Sequence, residues 1–198
     1  MMSKTMSQLR LLSLDRFLPV LLLLLMGMTR MQHFGGQFTL PDASLAVFFA
    51  AGLWLPRSVW FWVLCVWAVL IDGFAIQQLG VSDFCVTPAY VFLLPTYALL
   101  WLGGRWGQAY LNPSMKNALV LLMTAGLLIT GAFLISNGSF YLLSGQFAGH
   151  WTDYLDNVAR YYPSYIFYSF SYVAFIVALG FVFHGLAENS SIESVQGH

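Results

Sequence analysis

Four side chains with chemistry to offer cluster around breaks between apolar segments of this 198-residue chain. Three lie in the stretch 71–90, Ile-Asp-Gly-Phe-Ala-Ile-Gln-Gln-Leu-Gly-Val-Ser-Asp-Phe-Cys-Val-Thr-Pro-Ala-Tyr, as Asp72, Cys85 and Tyr90; the fourth, His33, stands just before Gly35-Gly36. A deprotonated thiol is a nucleophile, a redox group or a ligand for soft and borderline metals, and a protonated one is a small apolar filler. Cys85 alone cannot build a zinc site, which takes three or four protein ligands. A metal already held by an organic macrocycle needs only an axial ligand. His33 reads as a second ligand, a hydrogen-bond partner of the thiol or an ordinary interfacial residue. Asp72 is an acid near the end of an apolar segment, costly there unless paired, solvated or functional. Pairing with Arg30 would make it structural. Tyr90, five residues after Cys85, has only rough proximity to it on a helix and by itself reads as an interface or core tyrosine.

The elements that must position these groups belong in lipid. Hydrophobic residues make up 59% of the chain and charged ones 8%, with a mean hydropathy of +0.73, more apolar surface than one water-soluble domain can bury. Aromatic residues at 17%, seven of them Trp, suit headgroup-level anchoring and a ring-lined cavity. A formal net charge of +0 offers no support for nucleic-acid binding. Two cysteines are not a disulfide framework, and Cys65, inside an apolar run, reads as a small buried hydrophobe. No Gly-x4-Gly-Lys-Ser/Thr loop occurs, so the chain carries no recognisable ATPase motor. Lys4 and Arg10 ahead of an apolar run resemble a signal peptide, but Asp15 and Arg16 interrupt it and no small-residue cleavage site follows Met31, which predicts a retained first helix.

Six apolar segments are expected, at 11–31, 42–55, 58–76, 84–102, 117–135 and 163–186. The second is short for a span and opens with Pro41-Asp42, a plausible helix start. The fourth holds Pro88 and Pro95, whose freed backbone groups would suit a cavity wall. The polar and aromatic stretch 137–162, with His150, Asp153, Asp156 and Arg160, reads as a long loop and candidate lid. If all six segments span, Lys4, Arg10, Arg16, Arg57, Arg105 and Lys116 fall on one side, against Arg30 and Arg160 on the other. The positive side is cytoplasmic. Both termini are then inside, and His33, Asp72, Asp83, Cys85, Tyr90 and the 137–162 stretch converge on the outer half. The expectation is an all-α integral membrane protein: one domain, 1–198, of six transmembrane helices. His184 near the inner end has no convincing opposed histidine for a bis-histidine haem.

Six segments in about 200 residues, no motor, a candidate outer lid and the run Ser82-Asp83-Phe84-Cys85-Val86-Thr87-Pro88-Ala89-Tyr90, with Asp72 and His33, resemble the substrate-binding S-components of energy-coupling-factor (ECF) transporters. The closest resemblance is to the solitary cobalamin-binding BtuM family. It implies an S-component-like bundle in a bacterial cytoplasmic (inner) membrane that binds vitamin B12 from outside and takes it up. It also implies that Cys85 is the cysteine that coordinates cobalt and that His33, Asp72 and Tyr90 surround the corrin. A thiolate there would take an axial position and favour loss of an upper ligand such as cyanide. S-components commonly meet a coupling module through Ala-x3-Ala on the first helix. Here Ala46 and Ala50 carry that spacing on the second, so the chain is expected to act alone or with an ECF-type module engaged differently.

Two other classes fit the composition. A thiol-dependent membrane enzyme would use Cys85 as nucleophile or redox group and needs a base or resolving thiol nearby, for which Cys65 is too deep in its helix. A small structural subunit of a membrane complex needs no ligand at all.

Overall fold

The computed structural model describes the backbone of residues 2–31, 40–55, 57–79, 87–145 and 151–196, and side chains within 17–31, 40–55, 57–78, 87–145 and 151–182. His33, Asp83, Cys85 and His150 lie outside the described residues. Six α-helices carry the described chain, and no strand occurs among the described residues: α1 (Met2–Met31), α2 (Ser44–Trp54), α3 (Val59–Leu79), α4 (Leu93–Gly107), α5 (Met115–Leu143) and α6 (Trp151–Gln196). Short 3-10 turns occupy Pro88–Phe92 and Gln108–Tyr110. Val59–Gln78, Met115–Leu143 and Trp151–Val182 are long and apolar enough to cross a membrane, as an integral membrane protein requires.

Packing is organised around α2. At about 1.5 Å per residue, its 11 residues cover only about half of a ~30 Å hydrocarbon core. It survives in the middle of the bundle, with every residue from Ser44 to Leu53 buried and α1, α3, α4 and α6 around it. That surrounding explains a helix that is apolar all round. The approach of α4 is set by two glycines. A Cβ on Gly52 would overlap the carbonyl oxygen of Trp101, and one on Gly104 would overlap that of Phe49. Phe48 then stacks on Tyr97 with ring centroids 4.2 Å apart. Ala46 and Ala50 are fully buried in this packing, so their small size is used inside the chain and offers no docking face.

α1 and α3 each present one stripe inward. On α1, Leu22, Met26, Thr29 and Arg30 are buried, while Phe17, Val20, Leu21, Leu24 and Met28 are exposed. On α3, Phe61, Leu64, Ala68, Ile71, Asp72 and Ala75 are buried, and Trp62, Val66, Val69, Leu70 and Phe74 are exposed. Both inward rows follow helical spacing, and each contains its charged residue. Trp67 Nε1 donates to the Leu23 carbonyl at 2.9 Å, fixing the two helices side by side.

Two expectations are corrected. The stretch 137–162 is not one long loop: α5 continues to Leu143 and α6 begins at Trp151. Two of its polar side chains bond back to their own helices: Ser139 Oγ donates to the Ser136 carbonyl at 2.9 Å and Asn157 Nδ2 to the Asp153 carbonyl at 2.8 Å. Helix therefore persists where polarity alone suggests a loop, and Pro163 sits inside α6. The fourth segment does face a cavity, as its prolines suggest, with Ala89, Tyr90, Leu93, Thr96 and Tyr97 in the wall. Pro88 opens a 3-10 turn and Pro95 lies in the first turn of α4, where an N–H has no intrahelical partner to lose. The Leu93 amide donates to the Tyr90 and Val91 carbonyls. Cys65 is half-buried rather than fully buried and packs against the core.

Candidate ligand-binding site

The inward stripes of α1 and α3 bring Arg30 and Asp72 together. Arg30 Nε donates to Asp72 Oδ1 and its Nη2 to Asp72 Oδ2, both at 2.6 Å, a bidentate fork that lysine could not form. Arg30 Nη1 donates toward Tyr97 Oη at 2.8 Å, Ser44 Oγ at 3.1 Å and Asp42 Oδ2 at 3.3 Å. The Tyr90 hydroxyl donates to Asp72 Oδ2 at 2.6 Å. One guanidinium thus ties α1 to α2, α3 and α4 and, through Asp72, to the turn Pro88–Phe92. Arg30 is 7% exposed and Asp72 8%, so neither is screened by solvent and each depends on the other.

Local structure aims these groups. Thr87 Oγ1 accepts from the Ala89 amide at 3.3 Å and caps the turn that presents Tyr90. Asp42 Oδ1 accepts from the Ser44 amide at 2.9 Å and its hydroxyl at 2.6 Å, an Asx arrangement that starts α2. Thr29 Oγ1 accepts from the Ala43 amide at 3.2 Å, and Tyr172 Oη donates to the Pro41 carbonyl at 3.1 Å. The approach to α2 is therefore held from α1 and from α6.

The cluster forms one wall of a cavity of about 670 Å³. α5 contributes Phe133, Ser136, Asn137 and Phe140, and α6 contributes Tyr161, Ser164, Tyr165, Tyr168 and Ser169. Both rows recur at i, i+3, i+4 and i+7, so one face of each helix is given to the cavity. Phe133 meets Tyr165 edge-on at 5.0 Å and Tyr162 at 5.1 Å, and Tyr162 shares a hydrogen bond with Thr130 at 3.0 Å. Aromatic faces alternating with small hydroxyls and a carboxamide make a wall for an amphipathic, largely uncharged ligand.

Of the four residues singled out in the sequence, Asp72 and Tyr90 are in direct contact and both line the cavity; His33 and Cys85 lie outside the described residues. Arg30 is more than a neutralising partner, since it holds the cavity floor. Asp42, Ser44 and Tyr97 belong to the same network and were not distinguished as site residues by sequence. The repeated small-polar and aromatic rows of α5 and α6 are the signal that points to the far wall. No protein-family model matches the chain, and no curated protein matches it either.

Proposed function

We propose that this chain binds cobalamin from the outer side of a bacterial cytoplasmic membrane and carries it inward, as an S-component-like bundle of six spans with both termini in the cytoplasm. The observation that carries the reading is the cavity that has Asp72 and Tyr90 in its wall, the two described residues that the sequence resemblance assigns to a corrin pocket. Its volume of about 670 Å³ is that of a small-molecule site and less than a whole cobalamin occupies, so the described wall would hold part of the ligand. Its mix of rings, hydroxyls and an amide suits a flat macrocycle edged with carboxamides.

In this reading Cys85 supplies the axial ligand. Its thiolate sulfur donates an electron pair to cobalt and displaces either the nucleotide base or the upper ligand, which leaves with its own pair. The resemblance assigns His33 to the residues around the corrin. Asp72 acts indirectly, because both of its oxygens already accept from Arg30 and Tyr90; it holds the floor of the pocket and keeps Tyr90 oriented. Movement across the membrane follows a change of conformation, with or without an ECF-type coupling module.

Uptake is tested in cells that need external cobalamin and have no other importer. Removing this protein should abolish growth on limiting cobalamin, and restoring it should recover growth. Undiminished growth without it would rule out the uptake role.

A further inference from the structure

We infer that Asp42 is a specificity-determining residue, whose carboxylate favours neutral or cationic ligands with amide N–H groups and turns away ligands presenting an anion. The inference rests on the cobalamin reading for its probe and on the cavity's charge distribution for its argument. Among the described lining residues there is one guanidinium against two carboxylates, a formal charge of −1.

That guanidinium is already committed. Arg30 gives two hydrogen bonds to Asp72 and directs Nη1 toward Tyr97, Ser44 and Asp42, and its side chain is only 9% exposed. It has little left to offer an incoming anion. Asp72 is equally closed, with three donors on its two oxygens and a side chain 11% exposed.

Asp42 differs from both. Its side chain is 30% exposed, and the partner of Oδ2 is Arg30 Nη1 at 3.3 Å, long beside the ~2.7–2.9 Å of a strong charge-assisted bond. Oδ1 is occupied by Ser44, so Oδ2 keeps room for another donor. The rest of the described wall is aromatic rings, aliphatic side chains, hydroxyls and the Asn137 carboxamide, none of which offsets the charge. A carboxamide brought to Asp42 donates an N–H. A carboxylate brought there meets a like charge in a site partly shielded from water, which builds selectivity through repulsion.

The test compares cyanocobalamin with its separated monocarboxylic acids, in each of which one rim carboxamide is hydrolysed to carboxylate, by equilibrium binding to the purified full-length protein near neutral pH. At least one acid should bind about tenfold or more weakly than the parent, as like charges about 10 Å apart at an effective dielectric constant near 20 require. In Asp42→Asn, which keeps an acceptor for Ser44, that ratio should shrink toward one. Equal binding of the parent and every acid to wild type would overturn the inference, and this arm does not depend on the variant folding. An unchanged ratio in a folded Asp42→Asn would also overturn it. Failure of the folded wild-type protein to bind cyanocobalamin or any of its acids would overturn the cobalamin reading, and this inference with it.

Discussion

Replacing Asp72 with Leu removes a carboxylate whose two oxygens each lie 2.6 Å from an Arg30 nitrogen and one of which also accepts from Tyr90. The guanidinium left behind is 7% exposed and keeps Asp42, at 3.3 Å, as its ionic partner among the described residues. Breaking a buried pair by removing one partner costs about 3–5 kcal/mol. The cavity beside the pair and the remaining carboxylate soften the loss, which places the expected cost near the lower end, about 3 kcal/mol. Arg30→Met strands two carboxylates instead of one cation and should cost at least as much. The double variant Arg30→Met/Asp72→Leu removes both members of the pair. Because apolar replacement of a whole buried pair is often close to neutral, it should lose far less than the sum of the single losses, with a coupling of about 2 kcal/mol or more. Thermal unfolding of the purified protein in detergent reads this directly. At about 2–4 °C per kcal/mol for a chain of this size, each single variant should melt roughly 6–12 °C below wild type, and the double variant above both. Single variants within about 2 °C of wild type, or a double variant whose loss is the sum of the two, would refute the account of the cavity floor.

The remaining predictions address the packing and the far wall. Gly104→Ala sets a methyl against the Phe49 carbonyl and forces α4 from α2, so it should cost about 3 kcal/mol or more, beyond ordinary overpacking. Gly73→Ala meets nothing within 4 Å and should stabilise α3 by about 0.5–1 kcal/mol; melting curves check both. Asn137 lines the cavity and is half-buried. Asn137→Phe should fill ligand space and weaken cobalamin binding about tenfold or more, equivalent to ~1.4 kcal/mol, while the melting temperature stays near wild type. Unaltered affinity in this variant would show that the α5 row does not contact ligand.

Much of the fold is legible because lipid demands long apolar helices, and α3 and the start of α5 lie close to where composition puts them. Which face of each helix turns inward is harder to read. Lipid tails are as apolar as a protein core, so Leu22 and Leu24 on α1 look alike in sequence, although one is buried and the other exposed. Charged residues break that symmetry. Asp72 must face a partner, and Arg30 supplies it, as charge pairing in an apolar medium requires. Asp42 reads from sequence only as a helix start, and it does start α2, but its place beside Arg30 depends on the path of 40–43 and on Thr29 and Tyr172 from two other helices. The stretch 137–162 misleads because its polar and aromatic residues serve a cavity and helix ends, which polarity alone does not distinguish from a loop. The Tyr161–Ser164–Tyr165–Tyr168–Ser169 row holds a helical period that a periodicity reading recovers.

The proposed function turns on cobalamin binding with a cysteine thiolate on cobalt. Its most direct test is the visible absorption spectrum of the folded, purified protein after addition of cobalamin and removal of the unbound pigment, wild type beside Cys85→Ala. The expected result is a retained corrin spectrum in wild type whose bands shift when the thiol is lost. Retained corrin with identical spectra and affinities in the two proteins would contradict the ligand assignment, and no retained corrin in either would contradict cobalamin binding itself.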